Sequence, residues 1–198
     1  MCAILQRSNG SVTVNGSPAV LTTPAAADTN TYFNYGGSNY QSLAAAANLT
    51  YPGGTQLTGV GPIAAGGVCQ TSSMGNWGDP NRATPAGACE SYFPTIHVLG
   101  DLKVTTGSGQ GILLVDGDLT VAGNFAFTGA VIVRGGLKMT GTGNKIVGGV
   151  MAASVSVDDN VALAGNTTLQ YSSCALTAAL SASAYPKRAK ERAWVDVY

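Results

Sequence analysis

From Thr95 onward, short runs in which apolar and polar residues alternate recur at a nearly constant spacing. Val98-Leu99-Gly100-Asp101-Leu102-Lys103-Val104 returns as Val115-Asp116-Gly117-Asp118-Leu119-Thr120-Val121, and again as Val133-Arg134-Gly135-Gly136-Leu137-Lys138-Met139. A weaker copy, Met151-Ala152-Ala153-Ser154-Val155-Ser156-Val157, follows after a similar interval, with a one-residue ambiguity in register. Between the copies lie second short strands, Asn124 to Phe127, Asn144 to Val147 and Asn160 to Leu163, each approached through a turn containing Gly, Asn or Asp. No stretch of the repeat carries a helical period, and its glycines would break helices. The pattern predicts a mainly β chain folded as a right-handed β-solenoid (β-helix) of about 18-residue coils. Alternate residues then point into a narrow core, and Gly or Asn takes the left-handed backbone at the corners. An antiparallel β-sandwich, with strands every 8 to 12 residues or so, roughly, is the competing arrangement. The copies match in residue type as well as spacing, which favours the solenoid.

The remainder of the chain is less regular. A short alternating strand, Ser11 to Gly16, precedes a polar Thr/Asn/Tyr/Gly stretch from Asp28 to Tyr40. A helix is predicted over Tyr40 to Leu49 on the Leu43 to Ala47 run, stopped by Pro52-Gly53-Gly54. A second is predicted from Thr177, with Leu176, Ala179, Leu180 and Ala184 on one apolar face, before Pro186 interrupts it and a short strand follows. The expected organisation is one compact domain: an irregular part at 1–94 with short strands, one helix and a disulfide-closed loop, the solenoid at 95–175, and a helical cap with a basic tail at 176–198.

Composition narrows the function classes. The 198 residues include 27 glycines, only 10% are charged, 45% are hydrophobic, and the formal net charge is zero. The longest aliphatic runs, Ile112 to Val115 and Ala130 to Val133, fall far below the roughly 20 residues of a spanning helix. Disorder requires low hydrophobicity with high net charge, which this chain lacks. A coiled coil needs many more charged residues, and a neutral chain has no phosphate-neutralising excess for nucleic acid. Low charge suits a solenoid, because equivalent side chains in adjacent coils lie about 4.8 Å apart and like charges there repel.

The four cysteines, Cys2, Cys69, Cys89 and Cys174, contain no C-x-x-C pair, and the single histidine, His97, cannot complete a usual zinc set. Their even number favours disulfides and an oxidising compartment. Three pairings are formally open. Cys69 with Cys89 is preferred, because it closes a loop dense in turn formers, Gly75, Gly78, Pro80, Pro85 and Gly87, leaving Cys2 with Cys174. No signal peptide is visible, so an export or anchoring segment is expected upstream of Met1 or to have been removed.

The chain holds little recognisable chemistry. No Gly-x-Ser-x-Gly elbow occurs, any triad would have to use His97, and an edge or packing role for that residue is the better expectation. Gly107-Ser108-Gly109-Gln110-Gly111 lacks the Gly-Lys-Ser/Thr ending of a phosphate loop and leads into a strand. Asp101, Asp116, Asp118, Asp158 and Asp159 fall in the repeat region, and Asp101 and Asp118 occupy the same position in successive copies. They are candidates for an acid/base pair or a structural cation. The next copy has Gly136 at that position, and corner aspartates that bond turn amides are the ordinary explanation. No catalytic residue, cofactor or metal is therefore expected. Trp77, in the cysteine-bounded loop, is either packed over the solenoid flank or an exposed contact. The run Lys187-Arg188-Ala189-Lys190-Glu191-Arg192 holds four of the ten basic residues. With Trp194 it caps the solenoid end or docks on an acidic partner or anionic headgroups. Trp77, Lys187, Arg188, Lys190, Arg192 and Trp194 are accordingly the candidate interface.

Several strings together resemble a known family: Gly67-Val68-Cys69, Asn76-Trp77-Gly78-Asp79-Pro80, Gly87-Ala88-Cys89, Tyr92-Phe93-Pro94, Gly109 to Gly117, Gln170-Tyr171-Ser172-Ser173-Cys174 and Arg192-Ala193-Trp194-Val195-Asp196. They are similar to the C-terminal region of PilX-like pilus assembly proteins of Gemmatimonadota-type bacteria, over some seven-tenths of the chain from Gln56. The resemblance implies an extracytoplasmic, non-enzymatic domain, carried in the family by an N-terminal pilin-type membrane helix that this sequence does not include. The expected function is a structural or interaction protein of the cell envelope that docks on a larger assembly, with protein partners, no nucleic acid, and peripheral membrane contact at most. An extrinsic subunit stabilising an integral membrane complex is one alternative. A carbohydrate-active β-helix enzyme using Asp101, Asp116 and Asp118 is another.

Overall fold

Successive copies of the repeat lie side by side as parallel strands. The computed structural model describes residues 7–9, 12–15, 34–35, 38–156 and 167–182, with side chains described at 39–152 and 167–182. In chain order these form β1 (Arg7–Asn9), β2 (Val12–Asn15), β3 (Asn34–Tyr35), β4 (Ser38–Asn39), α1 (Tyr40–Ala45), β5 (Leu49–Pro52), β6 (Thr55–Leu57), β7 (Ala64–Ala65) and β8 (Val68–Cys69). There follow β9 (Thr95–Leu99), β10 (Leu102–Val104), β11 (Gly107–Val115), β12 (Leu119–Ala122), β13 (Phe125–Thr140), β14 (Lys145–Ser156), β15 (Thr167–Tyr171) and α2 (Ser173–Ala182). Eleven of these strands belong to one sheet, and all its pairings are parallel except β1 with β2. This is a parallel β-solenoid. Thr95 pairs with Ile112, Ile112 with Ala130 and Ala130 with Gly149, so three uninterrupted coils follow one another, each one residue longer than the last.

Each coil has three faces. On the first, Leu49, Ile96, Leu113, Val131 and Val150 form one inward column, and Tyr51, Val98, Val115, Val133 and Ala152 form another. On the second, Leu102, Leu119 and Leu137 stack beside Val104, Val121 and Met139. On the third, Phe127, Ile146 and Leu169 continue the core. The runs Ile112 to Val115 and Ala130 to Val133 are apolar without alternation because the first face is covered on both sides. Val115 and Val133 point inward, whereas Ile112, Leu114, Ala130 and Ile132 point outward against Tyr40 and Leu43 of α1 and Ala179 of α2. Gln56, Lys103, Thr120 and Lys138 line the outer side of the second face, which neither described helix covers.

The ambiguous fourth copy contains both registers. Val133 pairs with Ala152 and Leu137 with Val155, so the spacing shortens by one residue across a shift between Val133 and Gly136. One extra residue between Thr140 and Lys145 displaces the first face of that coil, and the irregularity restores the spacing on the second.

Three sequence expectations require correction. The stack does not begin at Thr95, because β5 and β6 pair in parallel with β9 and β10, placing a partial coil inside the supposedly irregular 1–94 part. The first helix ends at Ala45, not Leu49. It is capped at its start by Asn39, whose side chain accepts the Ser42 amide at 2.8 Å. In return the Asn39 amide donates to Ser42 Oγ at 2.9 Å, which completes a reciprocal capping box. Leu49 is instead an inward strand residue opposite Ile96, so core packing overrides the helix propensity of the alanine run. The second helix begins at Ser173, four residues earlier than predicted, because Ser172 Oγ accepts the Ala175 amide as an N-cap. The predicted strand near Ser11 is β2, which pairs with β15 at the far end of the stack. The expected strand at Asn160 to Leu163 and the tail beyond Ala182 lie outside the described residues. No helix among the described residues is long and apolar enough to cross a membrane.

Candidate functional site

The repeat aspartates divide between two places. Asp101 Oδ1 accepts the Asp118 amide at 2.8 Å, and Asp118 Oδ1 accepts the Gly136 amide at 2.7 Å, so each carboxylate fixes the same corner of the next coil. A Cβ at Gly117 or Gly135 would lie 2.2 or 2.3 Å from these oxygens, which is why glycine precedes each donating amide. The ladder ends at Gly136, which brings no carboxylate to the following coil. Asp158 and Asp159 lie outside the described residues.

Asp116 belongs to a separate cluster beneath the first helix. The Tyr40 hydroxyl donates to its Oδ1 at 2.7 Å, and His97 Nε2 lies 3.1 Å from its Oδ2. Tyr40 and His97 meet edge to face at 6.2 Å between centroids, and the Arg134 guanidinium sits 5.6 Å from the Tyr40 ring centre. Asp116 and Arg134 follow Val115 and Val133, which are paired, so opposite charges occupy equivalent positions in adjacent coils. The Arg134 Nη1 to Asp116 Oδ1 distance is 4.0 Å. This pairing is legible in the aligned repeats, whereas Tyr40 is not, since its contact depends on how α1 lies across the sheet. The cluster clamps α1 to the first face. His97 has a packing and hydrogen-bonding role there, and Asp116 does not converge with Asp101 and Asp118 into one constellation. Among the described residues no group of three His, Cys, Asp or Glu side chains is placed to hold a metal ion.

The third feature is built on Trp77. The first coil leaves the third face after Gly61, makes the β7–β8 hairpin, and returns at Asn76, which bridges to Gly61. A second excursion then runs from Asp79 to Pro94. Cys69 of the first is disulfide-bonded to Cys89 of the second. Cys174 is also disulfide-bonded, and its expected partner Cys2 lies outside the described residues. Trp77 itself is fully buried, so it is a core residue and not an exposed interface contact. Its ring lies edge-on to Phe125 at 6.0 Å and to Phe127 at 6.4 Å, and its Nε1–H donates to the Tyr51 hydroxyl at 3.0 Å. Gly109 makes the approach possible: a Cβ there would stand 3.1 Å from both the Phe127 ring and the Trp77 Cβ.

Two polar side chains anchor the second excursion. Gln110 Nε2 donates toward the carbonyls of Glu90 at 2.8 Å and Tyr92 at 3.0 Å. Asp79, almost fully buried, accepts the amides of Ala83 and Thr84, each at 2.7 Å, and the Thr84 hydroxyl at 2.6 Å. Burial alone would raise the Asp79 pKa, but the bonds from Thr84 and Ala83 outweigh it and hold the carboxyl below the usual aspartate value. A depressed native pKa means that the unfolded chain binds the proton more readily, so this stabilisation is full above the unfolded value and is lost as pH falls through the native one. Denaturant midpoints measured as a function of pH should therefore drop below about pH 4, and the drop should be shallower in Asp79→Asn. Parallel curves for the two proteins would refute the assignment. A shallow depression of about 490 Å³ beside this excursion is lined by Asp79, Arg82, Glu90, Phe93 and Gln110. Arg82 Nε there donates to Glu90 Oε1 at 2.8 Å.

Of the other interface candidates, Lys187, Arg188, Lys190, Arg192 and Trp194 lie outside the described residues. No family model, no curated protein and no solved structure matches this chain.

Proposed function

We propose that this protein is a non-enzymatic structural or interaction protein on the outer side of the bacterial cytoplasmic membrane, docking by surface complementarity on a larger envelope assembly. The observation that carries this reading is the Cys69–Cys89 disulfide, which clasps two excursions in the wall of a solenoid. Such bonds persist in oxidising compartments and are rare in the cytosol. The carboxylates of Asp101, Asp118 and Asp79 bond to backbone amides of the protein itself, which supports a scaffold more than a reaction centre. The row Gln56, Lys103, Thr120 and Lys138 offers a regular polar face for docking. The resemblance to PilX-like proteins points to the same location and to pilus assembly.

A second reading, an extrinsic subunit that stabilises an integral membrane complex, is favoured by the basic run Lys187 to Arg192, which suits anionic headgroups or an acidic partner. Purification from native membranes in mild detergent, with thiols alkylated at lysis, tests both. The expected result is no alkylated cysteine and stoichiometric retention in a large complex: with pilin-like subunits for the first reading, with another integral complex for the second. Four alkylated cysteines would overturn the location, and migration as a free monomer would overturn docking.

A further inference from the structure

The disulfide joins the two excursions that flank Trp77 in the chain. Asn76, fully buried next to Trp77, links that residue to the disulfide: its Nδ2 donates to the Gln70 carbonyl at 2.9 Å and the Ile63 carbonyl at 3.1 Å. The same nitrogen lies 3.3 Å from Cys69 Sγ and 3.6 Å from Cys89 Sγ, and Asn76 Oδ1 accepts the Gly78 amide at 3.1 Å. The backbone on both sides of Trp77 is therefore oriented by an amide that rests on the two sulfurs. The carbonyl of Met74, in the first excursion, accepts the hydroxyl proton of Tyr51, which in turn receives the indole N–H. Trp77 is tied to the remaining solenoid by few backbone bonds, chiefly its N–H to the Gly61 carbonyl at 3.1 Å and its carbonyl from the Gln110 amide at 2.8 Å. The coils from Thr95 onward have their own continuous ladders.

We propose that residues 62–94 form a redox-sensitive clip: reduction of Cys69–Cys89 releases both excursions and unseats Trp77, uncovering Phe125 and Phe127 while the coils from Thr95 onward stay folded. The reductant is a dithiol. Its first thiolate attacks the Cys69 sulfur, since Cys69 is half-buried and Cys89 is fully buried. The S–S bond breaks, a mixed disulfide forms on Cys69, and Cys89 departs as a thiolate that takes up a proton. The second thiol of the reductant then displaces Cys69, which is protonated in turn, and the reductant leaves as its own disulfide. Two electrons pass to the protein. The cross-link joins cysteines at a sequence separation of 20. A loop of that size restricts the open form entropically, so loss of the bond is expected to raise the open population on the order of a hundredfold.

The test uses the Cys69→Ser/Cys89→Ser double variant in a Trp194→Phe background, which makes Trp77 the only tryptophan and leaves Cys174 undisturbed. Acrylamide quenching of Trp77 should rise several-fold over the disulfide-bonded Trp194→Phe protein, with red-shifted emission and unchanged far-ultraviolet sheet signal. Trypsin should cut after Arg82 at least about tenfold faster. Unchanged quenching would overturn the proposal by showing that hydrogen bonds alone hold the clip. Loss of the sheet signal together with the quenching change would overturn it too, since the disulfide would then secure the whole fold. If the double variant does not fold on expression, adding a dithiol to folded Cys2→Ser/Cys174→Ser/Trp194→Phe protein, in which Cys69 and Cys89 are the only cysteines, gives the same two readouts, each with the same meaning. The docking proposal stands apart from this experiment.

Discussion

Replacing Trp77 by alanine is expected to destabilise the protein by about 3–5 kcal/mol, the range for deleting a large buried aromatic. The indole is fully buried and meets two phenyl rings edge-on. Neighbouring Gly109 has no side chain with which to fill the vacated space, so relaxation into the cavity is limited. The Tyr51 hydroxyl would also lose the indole as a hydrogen-bond donor. Urea unfolding followed by far-ultraviolet circular dichroism measures the loss, and Trp77→Phe separates its parts. Phenylalanine retains most of the buried surface but not the bond to Tyr51, and should cost about 1–2 kcal/mol. A loss below about 1 kcal/mol for Trp77→Ala would mean that the residue only covers a flank that closes readily without it.

Gly129→Ala should be at least as damaging although it adds a single methyl group. Gly111, Gly129 and Gly148 are paired in register at the corner between the third and first faces, and all have positive φ, +106°, +139° and +138°. A Cβ at Gly129 would stand 2.0 Å from the carbonyl oxygen of Gly111. The obstacle is backbone of the adjacent coil, so no rotamer change relieves it. Either the corner deforms or the coils separate, and both disrupt the parallel ladder; the expected cost is about 3 kcal/mol or more, or failure to fold. Gly75→Ala is the matched control, because its Cβ would meet only the Ile63 side chain at 3.4 Å. It should change stability by less than about 0.5 kcal/mol. Equal effects of the two substitutions in thermal unfolding would sink the steric account of this corner.

The coil period is legible because stacking imposes it. Leu102, Leu119 and Leu137, or Val104, Val121 and Met139, must repeat for neighbouring coils to share a core, so the repeat is written in residue type. The same logic makes Asp101 and Asp118 recognisable as corner residues, and it favours opposite charge at Asp116 and Arg134. The first partial coil is hidden for the opposite reason. Its third face is interrupted by excursions at 62–75 and 79–94, and its inward position there is filled by Trp77, which resembles nothing in the other copies. The limits of both helices escape the sequence pattern because the residues that decide them, Asn39 and Leu49 for one and Ser172 for the other, act through a cap or a partner strand. Alanine runs do not report either.

The sequence by itself determined the solenoid, its near-constant coil length, its glycine corners and the preference for joining Cys69 to Cys89, since each depends on local spacing or composition. Tertiary structure decided which surface is covered, how Tyr40 reaches Asp116, and that Trp77 belongs to the core. These contacts join residues far apart in the chain, Tyr40 with Asp116 and Tyr51 with Trp77 among them. Their existence depends on the angle at which a helix or a loop meets the sheet. Burial of shared apolar surface sets that angle, and no single segment encodes it.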